Sequence, residues 1–209
     1  MAETDDRPLL TFALFAYNQE KYIREAVEGA LSQTYEPLEI ILSDDCSSDH
    51  TFEIMQEILS EYNGNHIIIL NRNVENLGVG MHVSKILAMA RGELIILSAG
   101  DDISLPRRTS VLFNNWYRHN KAADAVWSDA EVIDQNGQHT GSLSGEIPEM
   151  PVNQRIKSMM PGLLGCAHAT TKRLYHEFAP LSGEIIYEDR ALAFRAFCAG
   201  GFIHVAEKL

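Results

Sequence analysis

The fold is decided by the stretch Glu93-Leu-Ile-Ile-Leu-Ser-Ala-Gly-Asp-Asp102, an apolar run that ends in two adjacent carboxylates. Its apolar residues predict a strand buried on both faces, as in a parallel sheet covered by helices. Asp101 and Asp102 follow that strand, and two adjacent negative charges there need a positive partner. Mg²⁺ or Mn²⁺ would serve, because these ions prefer oxygen ligands and bridge to a diphosphate. Taken alone, the pair is equally typical of a solvated turn whose aspartate caps a helix opened by Pro106.

Strand and helix patterns alternate through the first half of the chain. Apolar runs predict strands over residues 9–16, 38–42, 66–70 and 93–97. Between them, apolar residues recur at the spacing of amphipathic helices over residues 23–31, 52–62 and 83–90. This alternation predicts an α/β fold with a Rossmann-like, mostly parallel central sheet and helices on both faces. Ligands of such sheets bind at the carboxyl ends of the strands, where Asp44-Asp45 and Asp101-Asp102 both lie.

The second half of the chain has a less regular pattern. We predict a helix from Pro106 to about residue 119, with Trp116 on its buried side, and a strand over residues 125–134. Asn136-Gly137 is a hairpin signal, and a short helix is predicted over residues 190–199. Residues 141–151 contain several Gly and Pro and predict a mobile loop. Because no repeat, linker or low-complexity tract interrupts the sequence, we expect a single domain over residues 1–209, disordered up to about residue 7.

Composition restricts the partners and the compartment. The 209-residue chain has a net charge of -12, which argues against unaided binding to nucleic acid or to an anionic membrane. An anionic substrate would therefore need a metal ion or a local basic group. The three cysteines are widely spaced, which suggests reduced thiols, and the acidic N-terminus lacks an apolar signal region. We expect a cytoplasmic protein, either free or peripherally associated with the inner face of the membrane.

Several motifs follow one another along the chain. They are Phe12-Ala-Leu-Phe-Ala-Tyr-Asn18, Ala30-Leu-Ser-Gln-Thr-Tyr35, Glu39-Ile-Ile-Leu-Ser-Asp-Asp-Cys-Ser-Ser-Asp49, residues 73–78, Ala90-Arg-Gly-Glu93, Asp101-Asp102 and Glu188-Asp189. Over residues 8–206 this set resembles the family-2 glycosyltransferases, which are inverting enzymes of the GT-A fold. The resemblance implies transfer of a sugar from a nucleotide-sugar, with a UDP-sugar favoured, to an acceptor hydroxyl. It also implies Mn²⁺ or Mg²⁺ as cofactor.

The resemblance assigns a group of residues to the nucleotide-sugar. Ala16, Tyr17 and Asn18 should lie around the nucleotide, together with Asp45. The Asp45 carboxylate should receive the uracil N–H, which is chemically sensible because a carboxylate is only an acceptor. The alternative for Asp45 is a loop or helix-capping role.

The remaining acidic residues receive roles at the diphosphate and at the acceptor. Asp101 should face the ribose, and Asp102 should bind the metal ion. Glu188-Asp189 matches the acidic pair that supplies the catalytic base in the family, and Asp189 is its better-aligned member. The alternative for Asp189 is a negative charge favoured by the positive end of a helix macrodipole.

Some positions depart from the family pattern. Phe15-Ala16 replace the usual Pro-Thr, and Ala99 occupies the first acidic position of the common Asp-x-Asp-Asp form. Val83-Ser84 replace an Arg-Asn pair on the third helix, so one expected polar contact to the donor is absent. His82 could substitute in part, although a lone histidine is more often structural.

The chain ends at Leu209, before the Tyr-Arg-x-His-like segment with which many family members continue. We therefore expect the catalytic piece of a longer protein with a C-terminal extension. A carbohydrate or lipid-linked acceptor is expected, as in polysaccharide biosynthesis. Residues 141–151 and 162–171 should border the acceptor site, with His168 as a candidate contact.

Two other classes of function stay open at this point. A nucleotidyltransferase also joins an α/β sheet to a nucleotide and Mg²⁺, but it normally has a Gly-rich loop after the first strand. Phe15-Ala-Tyr-Asn18 contains no glycine. The non-enzymatic alternative is a glycosyltransferase-like module that binds a nucleotide without turnover, a possibility raised by the missing third-helix arginine. An assay of turnover by the full-length protein would distinguish an active glycosyltransferase from such a binding module.

Overall fold

The computed structural model describes residues 7–145 and 165–209, which form one eight-stranded sheet with helices on both faces. Its strands are β1 (Leu10–Ala16), β2 (Leu38–Asp44), β3 (Ile67–Arg72), β4 (Leu94–Ala99), β5 (Ala125–Ile133), β6 (His139–Leu143), β7 (His168–Thr171) and β8 (Phe202–Lys208). Its helices are α1 (Ile23–Leu31), α2 (Thr51–Glu61), α3 (Val79–Met89), α4 (Arg108–Arg118), α5 (Lys172–Glu177) and α6 (Glu188–Cys198). A 3₁₀ turn, Gly165–Ala167, precedes β7.

The order of the strands brings the predicted acidic clusters to one edge. The order is β3-β2-β1-β4-β7-β5-β6, with β8 paired to β5. β3, β2, β1 and β4 are parallel, and their register sets Ala16 opposite Asp44 and Phe15 opposite Ala99. The carboxyl ends of β1, β2 and β4 therefore meet. The predicted mostly parallel sheet is confirmed for these four strands, whereas β7 is antiparallel to both β4 and β5.

Two apolar layers cover the sheet. On one face, side chains of β1 such as Phe12 and Leu14 pack with α1, α2 and α4, and Trp116 of α4 is buried there as predicted. On the other face, Ala13 packs with α3 and α6. Alternate residues of β1 thus serve opposite layers, which is why the whole strand is apolar. Among the described helices, none is long and apolar enough to cross a bilayer.

The boundaries of several elements differ from the sequence-based expectation. α4 begins at Arg108, because Leu105 O accepts the Arg108 N–H in a turn that comes first. The predicted hairpin is confirmed, with Gly137 at φ 76° in the turn between β5 and β6. The predicted loop over residues 141–151 is wrong at its start, since residues 141–143 belong to β6 and pair with β5. Residues 146–151 lie outside the described part of the chain.

The motif Ala90-Arg-Gly-Glu93 has a structural role at the start of β4. Arg91 pairs through Nε with the fully buried Glu39 carboxylate, which also accepts the hydroxyl hydrogen of Thr11 at 2.9 Å. Gly92 N–H donates to Thr11 Oγ1, and a β-carbon at Gly92 would lie 2.4 Å from Thr11 N. Because that neighbour is backbone of the central strand, it has little freedom to move away. Only glycine fits here without displacing β1.

Gly92→Ala should therefore lower the free energy of unfolding by about 1–3 kcal/mol through overpacking. Chemical denaturation monitored by circular dichroism measures the change. Gly141→Ala is the control, because its β-carbon would meet only Val132, at 3.9 Å. That variant should stay within about 0.5 kcal/mol of wild type. Equal effects of the two substitutions would contradict the role of the close approach.

Candidate functional site

A cleft of about 300 Å³ lies at the carboxyl edge of the parallel strands. The ends of β1, β2 and β4 and the first turn of α3 surround it. Residues that line it include Ala16, Tyr17, Asp45, Gly78, Val79 and His82. Three of the residues predicted to surround the nucleotide thus come together in one cleft. Ala16 is buried and its carbonyl accepts the Asp45 N–H at 2.9 Å, whereas Tyr17 is 47% exposed.

Asn18 holds the loops beside the cleft together and is not among the residues that line it. It adopts a left-handed backbone conformation, with φ 52°. Its N–H donates to Ser47 Oγ at 2.8 Å, and its side-chain oxygen accepts the Ser48 N–H at 2.8 Å. These bonds connect the loop after β1 to the loop after β2. The structure therefore gives the Asn18 side-chain oxygen a partner within the protein.

Asp45 is the polar centre of the cleft wall. Its carboxylate is 2% exposed and accepts three hydrogen bonds, from Asn73 Nδ2 at 2.7 Å, Leu77 N at 3.0 Å and Gly78 N at 3.0 Å. Two of these bonds reach Oδ1 and one reaches Oδ2. Because a carboxylate has about four acceptor positions, one stays available on the Oδ2 side. The loop-organising role and the nucleotide-binding role predicted for Asp45 are thus compatible.

His82 is a buried residue of the cleft, for which the sequence analysis predicted only a partial substitute for a missing polar contact. Its side chain is 2% exposed, and its Nε2 lies 2.7 Å from Ser43 Oγ. Burial lowers the pKa of His82, an effect that the nearby Asp45 and Asp44 carboxylates oppose. The ring is therefore neutral at pH 7. The sequence could have indicated this inward orientation, because His82 lies near the start of the predicted third helix, which packs against the end of β2.

Asp101 and Asp102 lie at the mouth of a second, larger cavity of about 670 Å³. Asp101 is exposed, and Asp102 is half-buried. Burial and the neighbouring Asp101 raise the pKa of Asp102 to about 6, although the positive charge of Arg108 opposes that rise. Asp102 thus carries negative charge that the protein compensates only in part.

Arg108 is a fully buried cation beneath this acidic pair. Its guanidinium donates from Nη1 to Ser104 Oγ at 2.7 Å and from Nη2 to Leu97 O at 2.8 Å. Arg108 therefore ties the end of β4 to the loop that carries Asp102. Burial lowers its pKa to about 10, so it stays charged at neutral pH. Its spacing of four residues from Leu112 on α4 was a signal of its inward orientation.

Glu188 and Asp189 begin α6 and are both half-buried. Burial raises the pKa of Glu188. A β-carbon placed on Gly165 would lie 3.3 Å from Asp189 Oδ2, so Asp189 contacts the Gly165–Ala167 turn. Cys166, the middle residue of that turn, lines the cavity of Asp102. The turn therefore has both Asp102 and Asp189 in its neighbourhood. Burial raises the pKa of the Cys166 thiol to about 11, which leaves it un-ionised.

The loop before α6 is anchored on α3. Ser84 Oγ accepts the Leu181 N–H at 2.6 Å. A β-carbon on Gly80 would lie 2.6 Å from Ser182 O and 2.8 Å from Ile185 O, so only glycine allows the loop to approach this closely. Ser84 occupies one of the positions at which the family's usual polar pair is missing. In this chain it positions the segment that leads to Asp189.

Comparisons with known proteins agree with this architecture. The model of glycosyl transferase family 2 matches residues 11–177, which is most of the chain. The chain belongs to glycosyltransferase family 2. An uncharacterized glycosyltransferase of Methanocaldococcus jannaschii is 34% identical over 134 residues, which cover 63% of this chain and 45% of that protein. The chain thus matches about half the length of this relative.

Solved glycosyltransferases share the fold. TarS of S. aureus in complex with UDP-GlcNAc aligns with a TM-score of 0.70 and 20% identity over 95% of this chain and 56% of that chain. The mannosyltransferase PcManGT of Pyrobaculum calidifontis, solved with GDP-Man and Mn²⁺, aligns with a TM-score of 0.72 and 15% identity over 97% of this chain and 56% of that chain. At these identities the likeness establishes the common GT-A architecture. The predicted fold and family are confirmed.

The structure of this family member differs from expectation beside the larger cavity. We expected residues 162–171 to border the acceptor site, with His168 as a contact. His168–Thr171 is instead a buried strand between β4 and β5, and His168 is 1% exposed. Its Nδ1 lies 2.9 Å from Gly165 O. Only the Gly165–Ala167 turn fits the expected position among the described residues of this stretch.

The folded chain should gain stability when the Asp102 charge is removed. The folded-state pKa of Asp102, about 6, lies above the ordinary value of 3.8. The folded protein therefore binds a proton more tightly than the unfolded chain, and the resulting stabilisation is lost as pH rises through about 6. In EDTA, Asp102→Asn should raise the free energy of unfolding by about 1–3 kcal/mol at pH 7.5 and change it little near pH 4. Urea denaturation at the two pH values measures this; a pH-independent difference would contradict the assigned burial penalty.

Proposed function

We propose that this chain is the catalytic part of an inverting, metal-dependent glycosyltransferase that uses a nucleotide-sugar, with UDP-sugar as the donor. The acceptor would be a hydroxyl of a carbohydrate or a lipid-linked saccharide. The observation that carries the proposal is the arrangement of two carboxylates around one turn. Asp102 lines the cavity on one side of Gly165–Ala167, and Asp189 contacts that turn at Gly165.

The nucleotide would occupy the 300 Å³ cleft, with its base beside Tyr17 and Asp45. The exposed Tyr17 ring would offer an apolar face, and Asp45 retains one acceptor position. Asp101 would accept a hydrogen bond from the ribose. The complexes of TarS with UDP-GlcNAc and of PcManGT with GDP-Man support a nucleotide-sugar in this fold.

The residues present fit a divalent cation when a diphosphate completes its coordination. Asp102 offers hard carboxylate oxygens and a negative charge that the protein neutralises only in part. Among the described residues, no group of three or more His, Cys, Asp or Glu side chains could hold a metal ion without other ligands. Asp102, with Asp101 beside it, would therefore supply few of the ligands. When bound, Mg²⁺ or Mn²⁺ would stabilise negative charge on the leaving diphosphate as a Lewis acid.

Asp189 would act as the general base. Its carboxylate would take the proton from the acceptor hydroxyl as that oxygen bonds to the anomeric carbon. The bond from this carbon to the diphosphate oxygen would break on the opposite face, and the nucleoside diphosphate would leave with the electron pair. A single displacement of this kind inverts the configuration. Glu188 is the less well-aligned member of this pair in the family resemblance, and burial raises its pKa.

Asp102→Ala should abolish the Mn²⁺-dependent part of the affinity for UDP while the fold stays intact. Isothermal titration of UDP, with Mn²⁺ and with EDTA, measures this part directly. Asp101→Ala is the matched control at the adjacent position and should cost only about 0.5–3 kcal/mol of binding free energy, the range for one hydrogen bond. Unchanged metal dependence in Asp102→Ala would remove Asp102 from the cation site.

Asp189→Asn should reduce turnover about 10²–10⁴-fold, because positioned general-base catalysis typically contributes that factor. The amide keeps the size of the side chain but cannot accept the proton, so UDP affinity should survive. Turnover is measured with a UDP-sugar and acceptor, using the full-length protein.

Glu188→Gln provides the neighbouring control and should be milder. Near-wild-type turnover in Asp189→Asn would exclude this residue as the base. Nuclear magnetic resonance of the product gives the anomeric configuration: an α-linked donor should give a β-linked product. Retention would reject the single displacement.

A further inference from the structure

His82 lies on the wall of the donor cleft with one ring nitrogen unused. Its Nε2 contacts Ser43 Oγ at 2.7 Å, and Phe15 packs edge-on against the ring. No hydrogen bond from the described residues reaches Nδ1. This atom is also absent from the set of fully inaccessible polar atoms without a partner, so Nδ1 is accessible from the cleft. A side chain that is 2% exposed thus retains an open polar atom in the wall of the cleft.

A chain of hydrogen bonds fixes which nitrogen of His82 carries the proton. It starts at two groups of unambiguous polarity, because a carboxylate only accepts and an ammonium only donates. Asn73 Nδ2 donates to Asp45 Oδ1 at 2.7 Å, and Lys85 Nζ donates to Asn73 Oδ1 at 2.5 Å. The side-chain amide of Asn73 can therefore have only one orientation.

The same polarity passes from Asn73 to the histidine. Asn71 Nδ2 donates to Asn73 Oδ1 at 3.1 Å and to Ser43 Oγ at 2.9 Å. Ser43 is fully buried, and among the hydrogen bonds of the described residues the only acceptor within reach of its hydroxyl hydrogen is His82 Nε2. Because a buried hydroxyl hydrogen needs an acceptor, Ser43 donates to His82 Nε2. Nε2 is then the acceptor, and the hydrogen of the neutral ring resides on Nδ1.

We propose that His82 donates a hydrogen bond from Nδ1 to a carbonyl of the nucleobase, and that it makes the donor cleft selective for bases with an N–H beside a C=O. The inference rests on the proposed use of a nucleotide-sugar donor and specifies how its base is chosen. Asp45 supplies the complementary acceptor, since one position near Oδ2 is unused.

The donor and acceptor pair matches some bases and opposes others. Uracil presents its N3–H beside the C4 carbonyl, and guanine presents N1–H beside the C6 carbonyl. Cytosine has a bare ring nitrogen beside an amino group, and so does adenine. With those bases, Asp45 would face an acceptor and the His82 Nδ1–H would face a donor. A buried polar group left unpaired in this way weakens binding, so the pair rejects the wrong base as well as favouring the right one.

The affinity ratio of UDP to CDP tests this proposal, because the two ligands share ribose and diphosphate and differ only at the base edge. Titration calorimetry with Mn²⁺ should show that wild type binds UDP more tightly. His82→Gln and His82→Asn form a matched pair with the same amide: Gln approximates the Nε2 position, and Asn approximates the Nδ1 position. His82→Gln should lower the ratio about three- to tenfold, the value of one neutral hydrogen bond, and His82→Asn should keep most of it.

The wild-type protein provides a second readout that does not depend on the folding of a variant. Nitrogen-15 spectra of histidine-labelled protein should show His82 as the Nδ1–H tautomer, and UDP should shift its Nδ1 signal more than CDP does. An Nε2–H tautomer, or an unchanged UDP to CDP ratio in His82→Gln, would overturn the proposal. If wild type transfers sugar from a UDP-sugar while this ratio is unchanged, only the His82 inference fails. If wild type binds neither UDP nor CDP, both the His82 inference and the proposed function fail.

Discussion

The structure of the 300 Å³ cleft depends on the buried carboxylate of Asp45. Its three hydrogen-bond donors come from residues that follow it by 28 to 33 positions, so one side chain connects β2 to the segment that enters α3. A buried charge is stable only when its oxygens are satisfied, and the 73–78 segment provides this by folding around it. Without this carboxylate, the Leu77 N–H would lose its acceptor, and the Gly78 N–H would keep only its 2.9 Å bond to Asn76 Oδ1. In the intact protein, recognition of a base would use the fourth acceptor position of Asp45, which these three hydrogen bonds leave unused.

The carboxylate of Asp102, in contrast to that of Asp45, carries a charge that the protein compensates only in part. At Asp102, burial and the adjacent Asp101 act against the charged form. The buried cation that opposes them, Arg108, directs its two Nη atoms to Ser104 and to Leu97 O. Arg108 thus organises the loop and reduces the electrostatic cost without forming a direct ion pair. A complete ion pair would stabilise the free protein more, but it would compete with an incoming cation. Incomplete compensation at one carboxylate is the arrangement expected where charge is to be neutralised by a ligand.

The sequence predicted those parts of the fold that depend on local pattern. Continuous apolar runs identified β1, β2 and β4, and the parallel arrangement followed from the helices between them. β7 could not be found in this way, because His168–Thr171 contains no apolar run and is buried only through pairing with β4 and β5. Its neighbours in the sheet lie far away along the chain.

The candidate site shows the same division between local and long-range information. Motifs brought Ala16, Tyr17 and Asp45 to one cleft, but the motif that contains Asn18 does not distinguish a ligand contact from a residue that joins two loops. Arg108 was detectable, since it precedes Leu112 by one helical turn on the buried face of α4. The tautomer inferred for His82 was not, because it depends on hydrogen bonds among Ser43, Asn71 and Asn73, which connect the ends of β2 and β3 to α3.

Helix α3 belongs to both halves of the molecule. Its first turn borders the donor cleft, and Gly80 and Ser84 hold the loop that leads to Asp189. The two halves therefore cannot be exchanged freely between relatives. A chimera that joins the first hundred residues of another family member to the second half of this chain would need a small side chain at position 80 and a hydrogen-bond acceptor at position 84. Recombination within the family is thus limited by a packing contact between α3 and the loop before α6.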